Sequence, residues 1–189
     1  MNSSKQKSGV LIWITGLPGS GKTTLAKEVH RLLRNKMPVV LMDGDIFREI
    51  MGNDLGYSQN DRLKNAQRLA RMNHYLLEHG ISVVCSTVSL YKEIHAWNRK
   101  YIKNLIEVLI HVPAEILKKR DSKKLYSRAE SGRITDLVGI HQTFDMPKKP
   151  DMSIANHGSR KIFLAHAKSI AQRVLASSDE CRIKQMRPK

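Results

Sequence analysis

Cysteine, aromatic side chains and acidic residues are all scarce in this sequence. The two cysteines, Cys85 inside an apolar run and Cys181 in a polar C-terminal stretch, support neither a disulfide framework nor a Cys-based zinc site. A reducing, cytoplasmic home is the expectation. Aromatic residues make up only 5% of the chain and no nucleic-acid-binding motif accompanies them, which counts against a protein that stacks on bases of DNA or RNA. No apolar run exceeds strand length and residues 1–9 are polar, so neither a membrane span nor a secretory signal is expected. Acids are outnumbered: 17 Asp+Glu face 33 Lys+Arg, a formal charge of +16. That imbalance favours an anionic partner, with phosphate the first suspect. The eight histidines show no metal-ligand spacing. What remains is ordinary globular usage, 41% hydrophobic and 26% charged over 189 residues, enough for one domain with a core.

Apolar runs of strand length alternate with helical periodicity. Residues 10–14 form a continuous apolar run stopped by Gly16, as a strand covered on both faces requires. Residues 22–34 carry Leu25, Ala26, Val29, Leu32 and Leu33 at helical spacing, and residues 39–42 give a second strand. Ser58-Gln59-Asn60-Asp61 has the form of a capping box, opening a helix that ends at His79-Gly80. Strands at 81–88 and 105–112, with a helix at 91–103 between them, continue the alternation. From about 118 to 150 the periodicity fades while Lys, Arg, Gly and Pro accumulate, which reads as a partly helical lid over a site. A fifth strand at 151–156 and a helix at 159–176 follow. The expected organisation is a polar arm (1–8), an α/β domain (9–176) and a basic C-terminal tail (177–189), with a parallel five-stranded sheet and helices on both faces.

Gly16-Leu17-Pro18-Gly19-Ser20-Gly21-Lys22-Thr23 matches G-x-x-x-x-G-K-[ST] and lies between a strand and a helix. Backbone N–H groups of such a loop turn toward phosphate oxygens, and the following helix adds the positive end of its dipole. Gly16, Pro18, Gly19, Ser20, Gly21, Lys22, Thr23 and Thr24 are therefore the candidate ATP-binding residues. Lys22 holds the β- and γ-phosphates in this reading, and the Thr23 hydroxyl ligates Mg²⁺. The loop alone does not separate kinases from GTPases, motor ATPases or nucleic-acid translocases. The acceptor side decides.

Asp43-Gly44-Asp45 and Arg48 follow the second strand at its carboxyl end, where α/β sheets place ligands. Asp43 either hydrogen-bonds the turn after its strand or contributes to the cation site through water. Then come Gly56-Tyr57-Ser58, Asp61-Arg62 and Asn65, the last two on one helix face. With the loop at 16–24, the segment 54–58 and Ser86-Thr87-Val88-Ser89-Leu90-Tyr91-Lys92, these residues resemble the adenylylsulfate (APS) kinase family from about Ile12 to Asn156. Arg120-Asp121 with Lys123, Leu125, Tyr126 and Ala129 resembles that family's lid.

The resemblance implies a three-layer P-loop kinase fold and transfer of the ATP γ-phosphoryl to the 3′-hydroxyl of adenosine 5′-phosphosulfate. It implies a small nucleotide as partner, a homodimer, and no nucleic acid or membrane. Arg48, Arg62, Asn65 and Lys123 then bind the phosphosulfate and ribose, with Val88-Ser89 lining the same pocket and Tyr57 packing on adenine. Asp45 accepts the 3′-hydroxyl proton or orients Mg²⁺, the orienting role weighing at least as much because phosphoryl transfer is mostly positioning. Ser89 matches a serine to which a phosphoserine intermediate is assigned. Direct transfer is the preferred reading, since no base neighbours it in sequence.

The lid departs from the family. Lys124 replaces a glycine in Lys-Gly-Leu-Tyr, so a left-handed backbone there would be strained. Leu137 replaces the phenylalanine that closes the adenine sandwich with Tyr57, and Phe144 is the candidate substitute ring. A changed stacking pair with retained cations also suits the same chemistry on a cytidine diphosphoramidate. More distant alternatives are a nucleic-acid-binding P-loop protein and an inactive relic.

Overall fold

The computed structural model describes residues 8–185, with side chains described as far as Ser177. The polar arm at 1–7 and the last residues of the basic tail lie outside them. Strands β1 (Leu11–Thr15), β2 (Val39–Asp43), β3 (Ser82–Ser86), β4 (Leu105–His111) and β5 (Met152–Ala155) form one parallel sheet in the order β2-β3-β1-β4-β5. The apolar run of β1 is explained by its alternation. Ile12 and Ile14 face one cluster with Leu25, Val29 and Leu33 of α1 (Lys22–Leu33) and Phe163, Ala167, Ile170 and Val174 of α7 (Arg160–Gln185). Leu11 and Trp13 face the other cluster with Ala66, Leu69 and Leu77 of α3 (Gln59–Glu78) and Ile94 of α4 (Lys92–Tyr101). Both faces of β1 are covered, so apolar side chains are needed on each. The expected α/β architecture is therefore present.

The Ser58 cap holds as expected. Its hydroxyl accepts from the Asp61 N–H at 3.2 Å, and Asp61 answers from its own carboxylate, 2.8 Å from Ser58 Oγ. Two elements differ from the sequence reading. The helix α2 (Gly44–Ile50) begins immediately after β2 because the Asp43 side chain caps it, accepting from the Asp45 N–H at 3.0 Å. The last helix continues past 176 to Gln185, so the expected tail is helical over its first residues.

The connections leaving β1 and β3 run in opposite directions across the sheet, which opens a crevice at the carboxyl end of β1. Over it lie α5 (Ala114–Arg120), a 3₁₀ turn at Ser122–Lys124, α6 (Leu125–Glu130) and an irregular segment returning to β5. The return is anchored by a buried carboxylate. Glu107 on β4, 2% exposed, accepts from Arg99 at 3.0 Å and lies 2.7 Å from His95 Nδ1. The other ring nitrogen of His95 reaches the Asp145 carbonyl at 3.2 Å, and Arg99 pairs with Asp151 at 2.8 Å. These bonds tie α4, β4 and both ends of the 145–151 segment together.

The root of the lid carries backbone strain. Asp121, Lys123 and Lys124 adopt φ values of 34°, 60° and 53°. Such angles cost a residue with a Cβ roughly 1–3 kcal/mol where glycine is unstrained. The strain expected at Lys124 is present. Lys124→Gly is predicted to raise the melting temperature by about 2–4 °C, after allowance for the entropy glycine adds to the unfolded chain. Lys124→Ala, which keeps the Cβ, should stay within about 1 °C of the parent. Calorimetric melting of the three proteins checks this, and equal midpoints for the parent and the glycine variant would contradict it.

Candidate active site

The loop between β1 and α1 is shaped by glycines that nothing else can replace. Gly16 and Gly21 have φ of 150° and 99°, and a Cβ on either would lie 2.5 Å from the Ile110 carbonyl oxygen or 2.7 Å from Asn156 Nδ2. Gly21 caps α1 without a side chain and no acid lies in the first turn, so the positive helix end faces the loop unopposed. The loop is braced from outside. Tyr126 Oη donates to the Pro18 carbonyl at 2.9 Å, and Asn156 Nδ2 donates to the Ser20 carbonyl at 2.8 Å. Gly16 and Ser20 are buried behind the loop and shape it, whereas Pro18, Gly19, Gly21, Lys22, Thr23 and Thr24 line a cleft of about 1300 Å³.

Lys22 reaches into this cleft, 9% exposed, with Nζ donating to the Leu17 carbonyl at 2.9 Å. Burial lowers its pKa to about 8, against the attraction of Asp45 and Asp43. Thr23 Oγ1 donates to Asp43 Oδ2 at 2.9 Å, and Ser86 Oγ donates to the same oxygen at 2.6 Å. Burial pushes the Asp43 carboxyl up, but hydrogen bonds from Ser86, Thr23 and the backbone of Asp45 and Ile46 outweigh it and hold the pKa below the usual range. The reading of Asp43 as bonding the turn after its strand holds in the form of a cap on α2, and the same side chain touches Thr23. Ser86 was not a candidate in the sequence reading. Only the β2–β3 register, which pairs Asp43 with Ser86, brings it there.

The acceptor-side candidates converge on the same cleft. Asp45, Arg48, Tyr57, Arg62, Asn65, Val88, Ser89, Lys123 and Leu137 all line it, from α2, α3, the β3–α4 loop and the lid. Lys123 Nζ reaches across from the lid to Asp45 Oδ2 at 2.8 Å, and that hydrogen bond and charge raise the lysine's pKa. Arg48, 7% exposed, donates to the carbonyls of Leu55 and Gly56 at 2.8 and 2.9 Å. Arg62 donates to Tyr57 O at 2.9 Å and to Asp136 O at 3.0 Å, joining α3 to the lid. Both guanidiniums lie over the Tyr57 ring, with Cζ 4.7 and 5.0 Å from its centroid. Ser89 Oγ lies 2.7 Å from Thr87 Oγ1, and that hydroxyl is its hydrogen-bond partner among the described residues. No carboxylate or imidazole is bonded to it.

Leu137 is 3% exposed and packed into the cluster under α1. Phe144 is not on the cleft wall. It lies instead beside Gly139, 3.8 Å from where a Cβ would stand, and Thr143 faces the cleft in its place. The substitute ring expected from the sequence is therefore turned away. The sequence reading also missed Arg128 and Arg133 of the lid, which bring the lining to eight Lys/Arg against four Asp/Glu. It missed a second hollow of about 290 Å³ on the other side of the α1 N-terminus, lined by Gly21, Thr24, Arg120, Asn156, Gly158, Arg160 and Phe163. Apart from Gly21 and Thr24 of the glycine loop, its residues carry no motif and are distant from that loop in sequence, so tertiary structure gathers them.

The depressed lysine gives a pH signature. With a folded pKa near 8 against an ordinary 10.5, the cost of burying its charge is full below about pH 8 and is relieved as pH rises toward 10.5. Phosphate oxygens beside Nζ restore the charge. Binding of ADP at about pH 8 should thus take up roughly half a proton, falling to near zero at about pH 6.5, and Lys22→Arg should show no such uptake at either pH. Calorimetry in buffers of different ionisation enthalpy reads this, and equal uptake by parent and variant would contradict it.

Comparison with known proteins fits this geometry. The profile of the adenylylsulphate kinase family matches residues 8–155. The adenylyl-sulfate kinase of Halothermothrix orenii is 37% identical over 151 residues, 79% of this chain and 82% of that protein. That of Chloroflexus aurantiacus is 37% identical over 149 residues, 78% and 80% of the two chains. Among solved structures, the Mycobacterium tuberculosis APS kinase in complex with AMPPNP and APS superposes with a TM-score of 0.80 at 32% identity, covering 89% of this chain and 98% of that one. By sequence over most of its length and by fold, the chain belongs to the adenylylsulfate kinase family.

Proposed function

We propose that the protein transfers the γ-phosphoryl of ATP to the 3′-hydroxyl of adenosine 5′-phosphosulfate. The observation that carries this reading is the meeting of two anion sites in one cleft: the glycine loop with Lys22, and the group Arg48, Arg62, Asn65 and Lys123 around Tyr57. The M. tuberculosis relative, in its solved structure, is in complex with both AMPPNP and APS. ATP triphosphate lies along the loop amides and Lys22, with the donor base in the hollow between Arg120 and Arg160. The acceptor stacks on Tyr57 and takes its charge from the arginines, whose present partners are backbone carbonyls that anionic oxygens replace.

The residues present fit a magnesium ion. Thr23 Oγ1 donates its proton to Asp43 and so keeps its lone pairs for a cation, while no group of three or more His, Cys, Asp or Glu converges among the described residues. Such a donor set suits an ion that keeps its waters and binds through phosphate oxygens. When bound, Mg²⁺ offsets the charge that develops on the transferred group. Asp45 is freed from Lys123 as the acceptor arrives and orients the 3′-hydroxyl for in-line attack. Ser89, hydrogen-bonded to a hydroxyl and without a base, lines the pocket and forms no covalent intermediate.

One observation favours a second reading, the same transfer to another nucleotide such as a cytidine diphosphoramidate. Leu137 stands where the family resemblance places a stacking phenylalanine, and Phe144 does not replace it. The cytoplasmic, homodimeric state that the resemblance implies is likewise a proposal. It is supported by the absence, among the described residues, of a helix long and apolar enough to cross a membrane, and by the exposed Met72, Tyr75 and Tyr101 on α3 and α4.

Coupled assays with ATP and each acceptor, with products identified by mass, test the proposal. Adenylylsulfate should be phosphorylated at its 3′ position, and Lys22→Ala should lower kcat by roughly a thousandfold or more with the fold retained. Leu137→Phe should lower the KM for adenylylsulfate about 5- to 100-fold, the equivalent of about 1–3 kcal/mol of base stacking. No turnover of adenylylsulfate, with turnover of the cytidine acceptor, would replace the first reading by the second.

A further inference from the structure

We propose that Asp136 is a specificity-determining residue of the acceptor pocket: its carboxylate accepts a hydrogen bond from the exocyclic amine of the acceptor base and so selects amino-bearing bases over their keto counterparts. The inference rests on the kinase reading above and narrows the class of nucleotide that the site takes.

A carboxylate is out of place in a cleft lined by eight cations and suited to polyanions. Four acids are nevertheless there, and three have evident reasons. Asp43 is held by Thr23 and Ser86, Asp45 is paired with Lys123, and Glu49 is exposed on the outer turn of α2. Asp136 is half-buried on the cleft wall; its carboxylate makes no hydrogen bond or ion pair among the described residues, and its charge acts on the Arg62 guanidinium from a distance. Its backbone is fixed, because Arg62 Nη2 donates to its carbonyl at 3.0 Å. The guanidinium that makes this bond sits 5.0 Å from the centroid of the Tyr57 ring, and Asp136 and Tyr57 line the same cleft, so the carboxylate belongs to the wall beside the proposed base site. The guanidinium is itself engaged, through Nε to Tyr57 O at 2.9 Å and through Nη2 to the Asp136 carbonyl.

An ionised carboxylate is an acceptor only. Facing it, the 6-amino group of adenine or the 4-amino group of cytosine donates an N–H, as carboxylates accept from cytosine N4 in nucleic-acid readers. The keto oxygen of hypoxanthine or uracil presents a second acceptor, leaving two desolvated lone-pair groups opposed. The other polar side chains flanking it on the lid wall, Thr135 and Thr143, carry hydroxyls that rotate to donate or accept and therefore discriminate little. Discrimination falls to Asp136.

The test measures kcat/KM for two matched pairs, adenosine against inosine 5′-phosphosulfate and cytidine against uridine diphosphoramidate, with the parent, Asp136→Asn and Asp136→Ala. The parent should favour the amino member of whichever pair it uses by about 100-fold or more. Asp136→Asn, whose amide donates or accepts by rotating, should bring that ratio within about tenfold by raising turnover of the keto member, a gain that a merely structural role would not produce. A parent ratio near one, or the same ratio in all three proteins, would overturn the proposal. Failure of the parent to phosphorylate any of the four, while it still binds ADP, would overturn the kinase reading and this inference with it, and is distinguishable from the other results.

Discussion

A buried lysine without a fixed anion is the constraint on which the rest of the site depends. Lys22 is placed by the first turn of α1 behind a loop whose glycines leave room for backbone and ligand but for no side chain. Burial drops its pKa to about 8. The helix end beside it is uncapped and faces no acid in its own first turn. Such an arrangement is unfavourable in the empty protein and becomes favourable when phosphate oxygens fill it. The packing of β1 between two apolar layers, and the bracing of the loop by Tyr126 and Asn156, hold the arrangement against relaxation.

The acceptor side follows the same logic with weaker partners. Arg48 and Arg62 are oriented by carbonyls at 55–57 and 136, and Lys123 by Asp45. Each cation is thus held near its working position by an acceptor that a more strongly charged oxygen can displace. The ion pair between Lys123 and Asp45 is exposed, 72% and 69% on the two side chains, so breaking it costs little. Its location matters more than its strength. It joins the lid to the carboxylate proposed above to orient the acceptor hydroxyl, so under that proposal the acceptor that separates the pair also frees Asp45.

Much of this was legible in the sequence where the determinants are local. The glycine loop, the Ser58 cap and the alternating apolar runs each state their structure within a few residues, and the strain at Lys124 follows from the residue type once a left-handed turn is required. The acceptor-side candidates came through a resemblance, and the structure brings them to one cleft. What escaped the sequence depends on register or on distant packing. Ser86 touches Asp43 because β3 pairs with β2. Phe144 is turned from the cleft because its segment is tied elsewhere, with the Asp145 N–H bonded to the Leu90 carbonyl at 2.9 Å and the Asp145 carbonyl to His95. Arg120 and Arg160 flank one hollow although forty residues of lid and strand separate them. The helix at 44–50 was hidden because Asp43 was read as bonding the turn after its strand or as serving the cation site through water, whereas it is both the last residue of β2 and the cap of α2.

The proposed transfer requires two polyanions in one cleft, with a sugar hydroxyl aimed at the donor's terminal phosphorus. A crystal structure of the protein with a non-hydrolysable ATP analogue, Mg²⁺ and adenylylsulfate tests this most directly. The acceptor 3′-oxygen should lie within about 3–3.5 Å of the γ-phosphorus and in line with the bridging oxygen, with Tyr57 against the acceptor base. An acceptor bound outside the cleft, or a 3′-oxygen pointing away from the γ-phosphate with both ligands fully occupied, would contradict it.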